Sequence, residues 1–179
     1  MNDFQACLKA SHDAEDLPFW EEVYNKAFPT AVAIINHRQD GWHQRAGIDR
    51  SIILDDSRQI FVDEKVRGRN KVTGRVYDDI ALEYISVDTT NAPGWVCKKI
   101  RSDYIAYAIA PLGVCYLLPV QQLQTAWARK GEQWKAAYKT RAAINNGYKT
   151  WFCPVPPREL FKEMLRDYRI SFSPFELEE

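Results

Sequence analysis

Two acidic residues and a lysine are spaced so that they can meet on one β-hairpin. Asp49 precedes an apolar run at residues 52–54, and Asp63 and Lys65 follow a second apolar run at residues 60–62. The polar residues between these runs predict a tight turn, which places the two strands antiparallel and side by side. Because side chains alternate across a strand, Asp63 and Lys65 share one face, about 6.6 Å apart. The three side chains converge if Asp49 reaches the same end of the hairpin.

Two carboxylates and one ammonium group in this arrangement predict metal-dependent hydrolysis of a phosphodiester. Carboxylate oxygens are the ligands that Mg²⁺ and Mn²⁺ prefer, and such an ion polarises a phosphate and lowers the pKa of an attacking water. In this interpretation Asp49 and Asp63 bind the metal, and Lys65 steadies the water or the developing negative charge. The alternative is an exposed hairpin whose charges are only solvated.

Two further acidic residues leave the composition of this site open. Glu64 is next to Asp63 in the sequence but points to the opposite face, and a β-bulge would exchange their roles. The spacing to Lys65 favours Asp63. Glu83 lies in a predicted strand, where an isolated carboxylate is costly unless it is paired or bound to a metal. We expect Glu83 to be an extra ligand or to orient the lysine, and an edge position facing solvent is the alternative.

Two polar residues shortly before Asp49 are also candidates. Gln44 can orient a substrate phosphate or the attacking water, although the polarity of a loop explains it equally well. His43 can act as a general base. With the acidic pair and the lysine so near, we favour the interpretation that His43 is a solvated loop histidine.

The composition is that of an ordinary soluble domain. The 179 residues are 46% hydrophobic and 27% charged, which predicts a single domain over residues 1–179. We expect neither a membrane span nor a secretory signal, because no apolar run is long enough and the first residues lack a basic segment followed by an apolar one. Four cysteines without CxxC spacing and only three histidines do not predict a zinc site. A reduced, cytoplasmic protein is therefore expected.

The periodicity of apolar residues predicts an alternation of helices and strands. Helices are predicted at residues 18–28 (with 31–35 as an extension), 102–108, from 119 onward and at 157–168. Strands are predicted at residues 47–54, 59–66, 80–87, 114–118 and 148–153. This order predicts an α/β fold at the border with α+β.

An aspartate followed by acidic-x-Lys across a β-hairpin resembles the PD-(D/E)xK nuclease superfamily. The first motif here is Gly47-Ile48-Asp49, which lacks the proline of the family's name, and the second is Asp63-Glu64-Lys65. The residues that follow are similar to phage- and plasmid-borne members over about residues 42–156. These further matches are Leu82-Glu83, Ser86, Gly94-Trp95, Asp103-Tyr104, Tyr107 and Tyr148-Lys149-Thr150.

The resemblance implies a restriction-endonuclease-like αβββαβ core, in which a mixed central sheet is flanked by helices. It also implies a Mg²⁺- or Mn²⁺-dependent DNA endonuclease with Asp49, Asp63, Lys65 and Glu83 as catalytic residues. In some members a glutamate of the first helix completes the site. Glu21 and Glu22 are candidates for this role, but a helix at residues 18–28 would carry solvated glutamates in any case, and we favour that interpretation. The implied partner is DNA.

The distribution of charge and the size of the chain predict how such an enzyme would bind DNA and whether it needs a second subunit. The net charge is zero, but six basic residues and one acid lie between Arg129 and Lys149, and a second basic run at residues 67–75 follows Lys65. We expect these basic residues to contact phosphates. A nuclease of this size often needs a second subunit to cut both strands, so a homodimer stays open. The alternative functions are a catalytically inactive module that binds DNA or a protein partner, and an unrelated α+β enzyme.

Overall fold

The computed structural model describes residues 18–37, 39–70 and 73–168, which contain nine strands and four α-helices. The predicted single domain, residues 1–179, extends beyond these ranges. In chain order the elements are α1 (Phe19–Ala27), β1 (Ala31–Asn36), α2 (Gly41–Ala46), β2 (Arg50–Leu54), β3 (Gln59–Arg67), β4 (Ile80–Val87), β5 (Ala92–Pro93), β6 (Tyr104–Ile109), β7 (Val114–Pro119), α3 (Val120–Tyr138), β8 (Arg141–Ile144), β9 (Lys149–Val155) and α4 (Pro157–Met164).

The strands form two sheets. The mixed sheet has five strands in the order β1-β2-β3-β6-β7, and the antiparallel sheet has four in the order β5-β4-β9-β8. In the mixed sheet only β3 and β6 run parallel, and the other neighbours are antiparallel. The fold is therefore mixed α/β with a mixed sheet and flanking helices, as the order of elements predicts.

The predicted hairpin at residues 47–66 is confirmed. Strands β2 and β3 pair antiparallel, with Arg50 opposite Val62 and Ile53 opposite Gln59. The polar turn between them contains Ser57 at a positive φ of 68°, and the backbone N–H of Ser57 donates to the carbonyl of Leu54 at 3.0 Å. Short polar residues tolerate this left-handed conformation better than bulky ones, which explains the polar composition of the turn.

The two faces of the mixed sheet contact different layers. Helix α1 covers one face, where Trp20 and Tyr24 pack against side chains of β2, β3 and β6. The antiparallel sheet and helices α3 and α4 cover part of the other face, in a core that includes Leu82 of β4, Ile105 of β6 and Leu123 of α3. Because alternate residues of β3 face opposite layers, Asp63 and Lys65 lie on the face opposite α1.

Three predicted helices are confirmed, with bounds that shift by a few residues. Helix α1 follows Pro18, α3 follows Pro119, and α4 has Pro157 in its first turn, where the missing N–H of proline costs nothing. A short 3-10 turn, Leu165–Tyr168, continues α4. None of the helices in the described ranges is both long and apolar enough to cross a membrane.

The helix predicted at residues 102–108 is wrong, because this segment is the buried strand β6. The residues from Tyr104 to Ile109 pair with β3 on one side and β7 on the other. Ser102 and Asp103 resemble helix caps, but the Asp103 carboxylate accepts the backbone N–H of Phe61 at 2.8 Å. Pairing between distant strands thus overrides the local capping signal.

Two other expectations about the strands are also wrong. Residues 31–35 do not extend a helix but form β1, which pairs antiparallel with β2. The strand at residues 80–87 exists as β4, but it belongs to the antiparallel sheet and pairs with β5 and β9. The αβββαβ order leads us to expect three consecutive strands at residues 47–54, 59–66 and 80–87, but the antiparallel meander of the mixed sheet is formed by β1, β2 and β3. The described residues 73–103 between β3 and β6 contain no α-helix.

Gly94 allows the backbone of the segment after β5 to approach Glu83 of β4. The N–H of Gly94 donates to the carbonyl of Tyr84 at 3.1 Å. A Cβ added at Gly94 would collide with the carbonyl group of Glu83 and would lie 2.7 Å from its Cγ. The residue at this position must therefore be glycine if β4 is to keep its place.

We predict that Gly94→Ala lowers the free energy of unfolding by about 1–3 kcal/mol, because overpacking forces backbone shifts. Urea denaturation of both proteins measures the difference. Gly68→Ala is the matched control, since a Cβ at exposed Gly68 meets nothing within 4 Å and should change stability little. Equal effects of the two substitutions would contradict the close approach at Glu83.

Candidate active site

A left-handed turn at Gly47 places Asp49 at the start of β2. Helix α2 ends at Ala46 and is capped by Gly47, whose φ of 72° favours glycine. A Cβ added at Gly47 would lie 3.0 Å from Ile100 Cγ2. Asp49 is then held on both sides, because its N–H donates to the carbonyl of Val62 at 2.8 Å and its carbonyl accepts the N–H of His37 at 2.9 Å. The glycine of Gly47-Ile48-Asp49 therefore has a conformational role.

The structure brings Asp49, Asp63 and Lys65 together. The Asp49 Oδ2 accepts the backbone N–H of Glu64 at 2.6 Å, which ties it to β3. The Lys65 ammonium donates to Asp63 Oδ1 and to the carbonyl of Glu64, at 3.2 Å for the latter. The carboxyl groups of Asp49 and Asp63 lie close enough to share a hydrogen bond. The three residues form one contiguous group.

Burial has the largest effect on the electrostatics of this group. The Asp63 side chain is 7% exposed, and burial together with the nearby Asp49 raises its pKa well above the usual value, against the opposing effect of Lys65. Burial disfavours the charge of Lys65, but Asp63 and Asp49 raise its pKa above the ordinary value. Two acids that face each other beside one cation are a site at which a further positive charge is favourable.

Glu83 approaches the group from the antiparallel sheet and interacts with Lys65. Burial raises the pKa of Glu83, while Lys65, a hydrogen bond from Ser86 and the charge of Lys98 oppose the rise. Glu83 does not join Asp49 and Asp63 in a compact ligand set, because the only such group of three in the described ranges lies elsewhere. Its position fits the orientation of the lysine better than direct metal binding.

Glu64 points away from the group, as alternation along β3 predicts. Its Oε1 accepts hydrogen bonds from the Tyr24 hydroxyl at 2.7 Å and from Arg50 Nε at 2.6 Å. Burial raises the pKa of Glu64 to about 7, against the opposing effects of Arg50 and Tyr24. This geometry favours Asp63 over Glu64 as the ligand.

The glutamates of α1 do not reach the group. Glu21 and Glu22 are exposed, and Glu22 pairs with Lys26 at 2.5 Å. Helix α1 lies on the face of the mixed sheet opposite Asp63 and Lys65, so Glu21 and Glu22 are solvated residues of the helix surface, which is the interpretation that the sequence favours. The contact that α1 makes with this part of β3 is the hydrogen bond from the Tyr24 hydroxyl to Glu64.

His43 is not a solvated loop histidine, because it lies on α2 and contacts two neighbours. Its Nδ1 is 2.8 Å from Asp40 Oδ2, and its ring stacks on the ring of His37 with centroids 3.6 Å apart. The sequence analysis missed this cluster. The signal that shows it is the spacing of His37, Asp40 and His43, each three residues after the last.

Some of the basic residues expected to contact DNA have other partners. Arg67 is largely buried, pairs with Asp79 at 2.6 Å and lies over the ring of Tyr77 at 4.2 Å. Lys135 pairs with Glu132 and lies 5.0 Å from the centre of the Tyr84 ring. These contacts give Arg67 and Lys135 partners within the protein, and their contact with DNA stays a prediction.

Comparison with known proteins gives no family for this chain. No family model matches it, no curated protein sequence is significantly similar to it, and no solved structure is significantly similar to it. The function is therefore inferred from the geometry of the site and from the residues that resemble the PD-(D/E)xK pattern.

We predict that Arg50→Leu lowers the free energy of unfolding by about 3–5 kcal/mol at a pH above the pKa of Glu64, because it leaves a buried carboxylate without its counter-charge. The loss should shrink at a pH well below about 7, where a protonated Glu64 carries no charge. Denaturant titrations on both sides of that pKa measure it.

Two controls separate the buried pair from a general effect of losing an arginine. Arg58→Leu removes an exposed pair with Asp56 and should have little effect at either pH. The double variant Arg50→Leu, Glu64→Leu should regain much of the lost stability, since no buried charge is left alone. A pH-independent loss in Arg50→Leu would contradict this account.

Proposed function

We propose that the protein is a metal-dependent deoxyribonuclease that hydrolyses phosphodiester bonds of DNA at Asp49, Asp63 and Lys65. The observation that carries the proposal is the meeting of two acids and one lysine, with Asp63 largely buried and Lys65 bonded to it. Groups with perturbed pKa values that converge in this way are typical of catalytic sites. Glu83, beside Lys65, is the fourth member of the proposed site.

The carboxyl groups of Asp49 and Asp63 fit a hard divalent cation, Mg²⁺ or Mn²⁺. Both offer oxygen ligands. Burial, together with the closeness of Asp49, raises the pKa of Asp63, so a cation between the two carboxyl groups would relieve repulsion that Lys65 alone leaves. When bound, such an ion polarises the scissile phosphate and lowers the pKa of the attacking water. Asp49 and Asp63 are the residues that would hold it.

The other residues have separate roles in the proposed reaction. The ammonium of Lys65 can donate to the attacking water or to the phosphate oxygen on which negative charge develops. The charge of Glu83 favours the charged form of Lys65. The N–H of Glu64 fixes one oxygen of Asp49, so that the carboxylate keeps its orientation during the reaction.

The arrangement of strands supports a restriction-endonuclease-like core, which is part of the proposal. The meander β1-β2-β3, the parallel strand β6 beside β3 and the helix α1 on one face agree with the αβββαβ order. One departure is that β4 and β5 lie between β3 and β6, at the position where the order has a helix. In this chain the added sheet brings Glu83 to the lysine.

The alternative function is a catalytically inactive module that binds DNA or a protein partner. The presence of all three motif residues in one group favours catalysis over it. Cytoplasmic location and a homodimer stay predictions. An assay of plasmid, linear, single-stranded and four-way-junction DNA in Mg²⁺, Mn²⁺ or EDTA separates the alternatives, because only the nuclease cleaves and only with the metals.

We predict that Asp63→Asn abolishes metal-dependent cleavage, since it removes one anionic ligand at nearly constant shape. Lys65→Ala should retain Mn²⁺ binding but lower the cleavage rate about 100-fold or more, as expected for the loss of a donor to developing charge. Gel assays of DNA cleavage and calorimetry of Mn²⁺ binding measure these effects.

Asp55→Asn and Lys26→Ala are the matched controls, because Asp55 lies in the exposed turn of the same hairpin and Lys26 is exposed on α1. Both should cleave at the wild-type rate. Wild-type cleavage by folded Asp63→Asn and Lys65→Ala proteins would place any nuclease activity elsewhere.

The raised pKa of Asp63 predicts a pH dependence for metal binding. The acid is neutral below its pKa and anionic above it, so the affinity for Mn²⁺ should increase as the pH rises through the neutral range. Raising the Mn²⁺ concentration should shift the cleavage profile to lower pH, because the ion competes with the proton. A pH-independent affinity would mean that Asp63 is not a ligand.

A further inference from the structure

The segment between β1 and β2 brings together three residues that can bind a metal outside the proposed active site. The ligand atoms of His37, Asp40 and His43 all lie within 4.8 Å of one another. Asp40 is exposed, and the two histidines are half-buried. This is the only group of three such residues in the described ranges whose ligand atoms lie this close.

Asp40 is held in place by its role at the start of α2. Its Oδ1 accepts the backbone N–H groups of Trp42 at 2.9 Å and His43 at 3.3 Å, which leaves Oδ2 facing His43 Nδ1 at 2.8 Å. This is a hydrogen-bond distance, whereas two ligands that each lie about 2.0–2.2 Å from one tetrahedral ion are about 3.3–3.6 Å apart. Binding of an ion therefore replaces this hydrogen bond and separates the carboxylate oxygen and the imidazole nitrogen by less than about 1 Å.

His37 supplies the second imidazole. Its ring is parallel to that of His43 within 6°, and its Nε2 is 2.6 Å from Ser51 Oγ. Two stacked imidazoles cannot both be protonated without repulsion, so at least one favours the neutral form that binds metals. An imidazole binds an ion in the plane of its ring, and two stacked rings have no plane in common. Binding of a shared ion therefore requires one of the two rings to rotate about its side-chain bonds out of the stack.

We propose that His37, Asp40 and His43 form a binding site for a transition-metal ion of the Zn²⁺ class. Two imidazole nitrogens and one carboxylate are a typical ligand set for Zn²⁺, and they leave a position for water or another ligand. Mg²⁺ prefers oxygen ligands throughout, so it is a poor occupant of this group. The two sites thus differ in ligand chemistry, and the inference does not depend on the proposed nuclease activity.

The position of the group gives the ion a structural consequence. The N–H of His37 donates to the carbonyl of Asp49 at 2.9 Å, and α2 leads through Gly47 into the same residue. An ion bound to His37 and His43 would fasten the end of β1 to α2 beside the start of β2. Binding to the folded protein should therefore raise its thermal stability.

Calorimetric titration of the full-length protein with Zn²⁺ tests the site. We expect the wild type to bind one ion. His43→Ala and His37→Ala should each reduce the affinity about 10-fold or more, because even the loss of a residue that only supports a metal ligand costs about 10–100-fold. Asp40→Asn should also weaken binding, while its amide oxygen can still cap α2. Co²⁺ should give a visible absorption band in the wild type that is lost in His43→Ala.

Three variants control for other sources of binding. Arg45→Lys alters an exposed residue of α2 at constant charge, and Cys97→Ser removes an exposed thiol that can bind Zn²⁺. Asp63→Asn removes a ligand of the proposed nuclease site. All three should bind Zn²⁺ as the wild type does. Absence of Zn²⁺ binding, or equal affinity in the folded His43→Ala and His37→Ala variants, would overturn the proposal whatever the outcome of the cleavage assays.

Discussion

The buried ion pair between Arg50 and Glu64 determines which residues of β3 face the candidate active site. The Arg50 and Glu64 side chains are 9% and 2% exposed, and Tyr24 of α1 donates to the same carboxylate. Since side chains alternate along a strand, holding Glu64 against α1 directs Asp63 and Lys65 to the other face. A shift of β3 by one residue would bury Lys65 against α1 and expose Glu64 to the site.

The candidate active site has the opposite electrostatic character. On the face that α1 covers, Arg50 and Glu64 pair with each other, whereas on the other face the acids Asp49 and Asp63 lie close together beside Lys65. Such an arrangement destabilises the folded protein unless a cation binds or a proton is taken up. Under the proposed function, a bound divalent cation would relieve this repulsion, while the N–H of Glu64 holds one oxygen of Asp49 in place.

Local patterns in the sequence were sufficient for the hairpin and its three polar residues, because two short apolar runs and a polar turn specify strands of known register. They were misleading for residues 102–108, where Ser102 and Asp103 resemble a cap but the segment lies buried between two distant strands. The pairing of β4 with β9 is also a contact between distant segments, which no local pattern contains.

In the candidate active site, too, local patterns predicted some residues, and contacts between distant segments could not be predicted. Glu83 was a candidate because an acid is unusual within an apolar strand, and the structure places it near Lys65. The support from Tyr24 and Arg50 to Glu64 was not predictable, since it joins a helix to two strands across 40 residues of sequence. The contact between His37 and His43 depends on how β1 and α2 meet, and β1 itself was predicted as helix.

The most direct test of the central claim is anomalous diffraction from crystals of the protein grown with Mn²⁺. The account predicts an anomalous peak between the carboxylates of Asp49 and Asp63, with metal–oxygen distances of about 2.0–2.6 Å and Lys65 displaced from Asp63 toward the bound water. The location of the peak distinguishes this site from the histidine cluster. A metal bound only elsewhere, with Asp49 and Asp63 still joined to each other and to Lys65, would contradict the account.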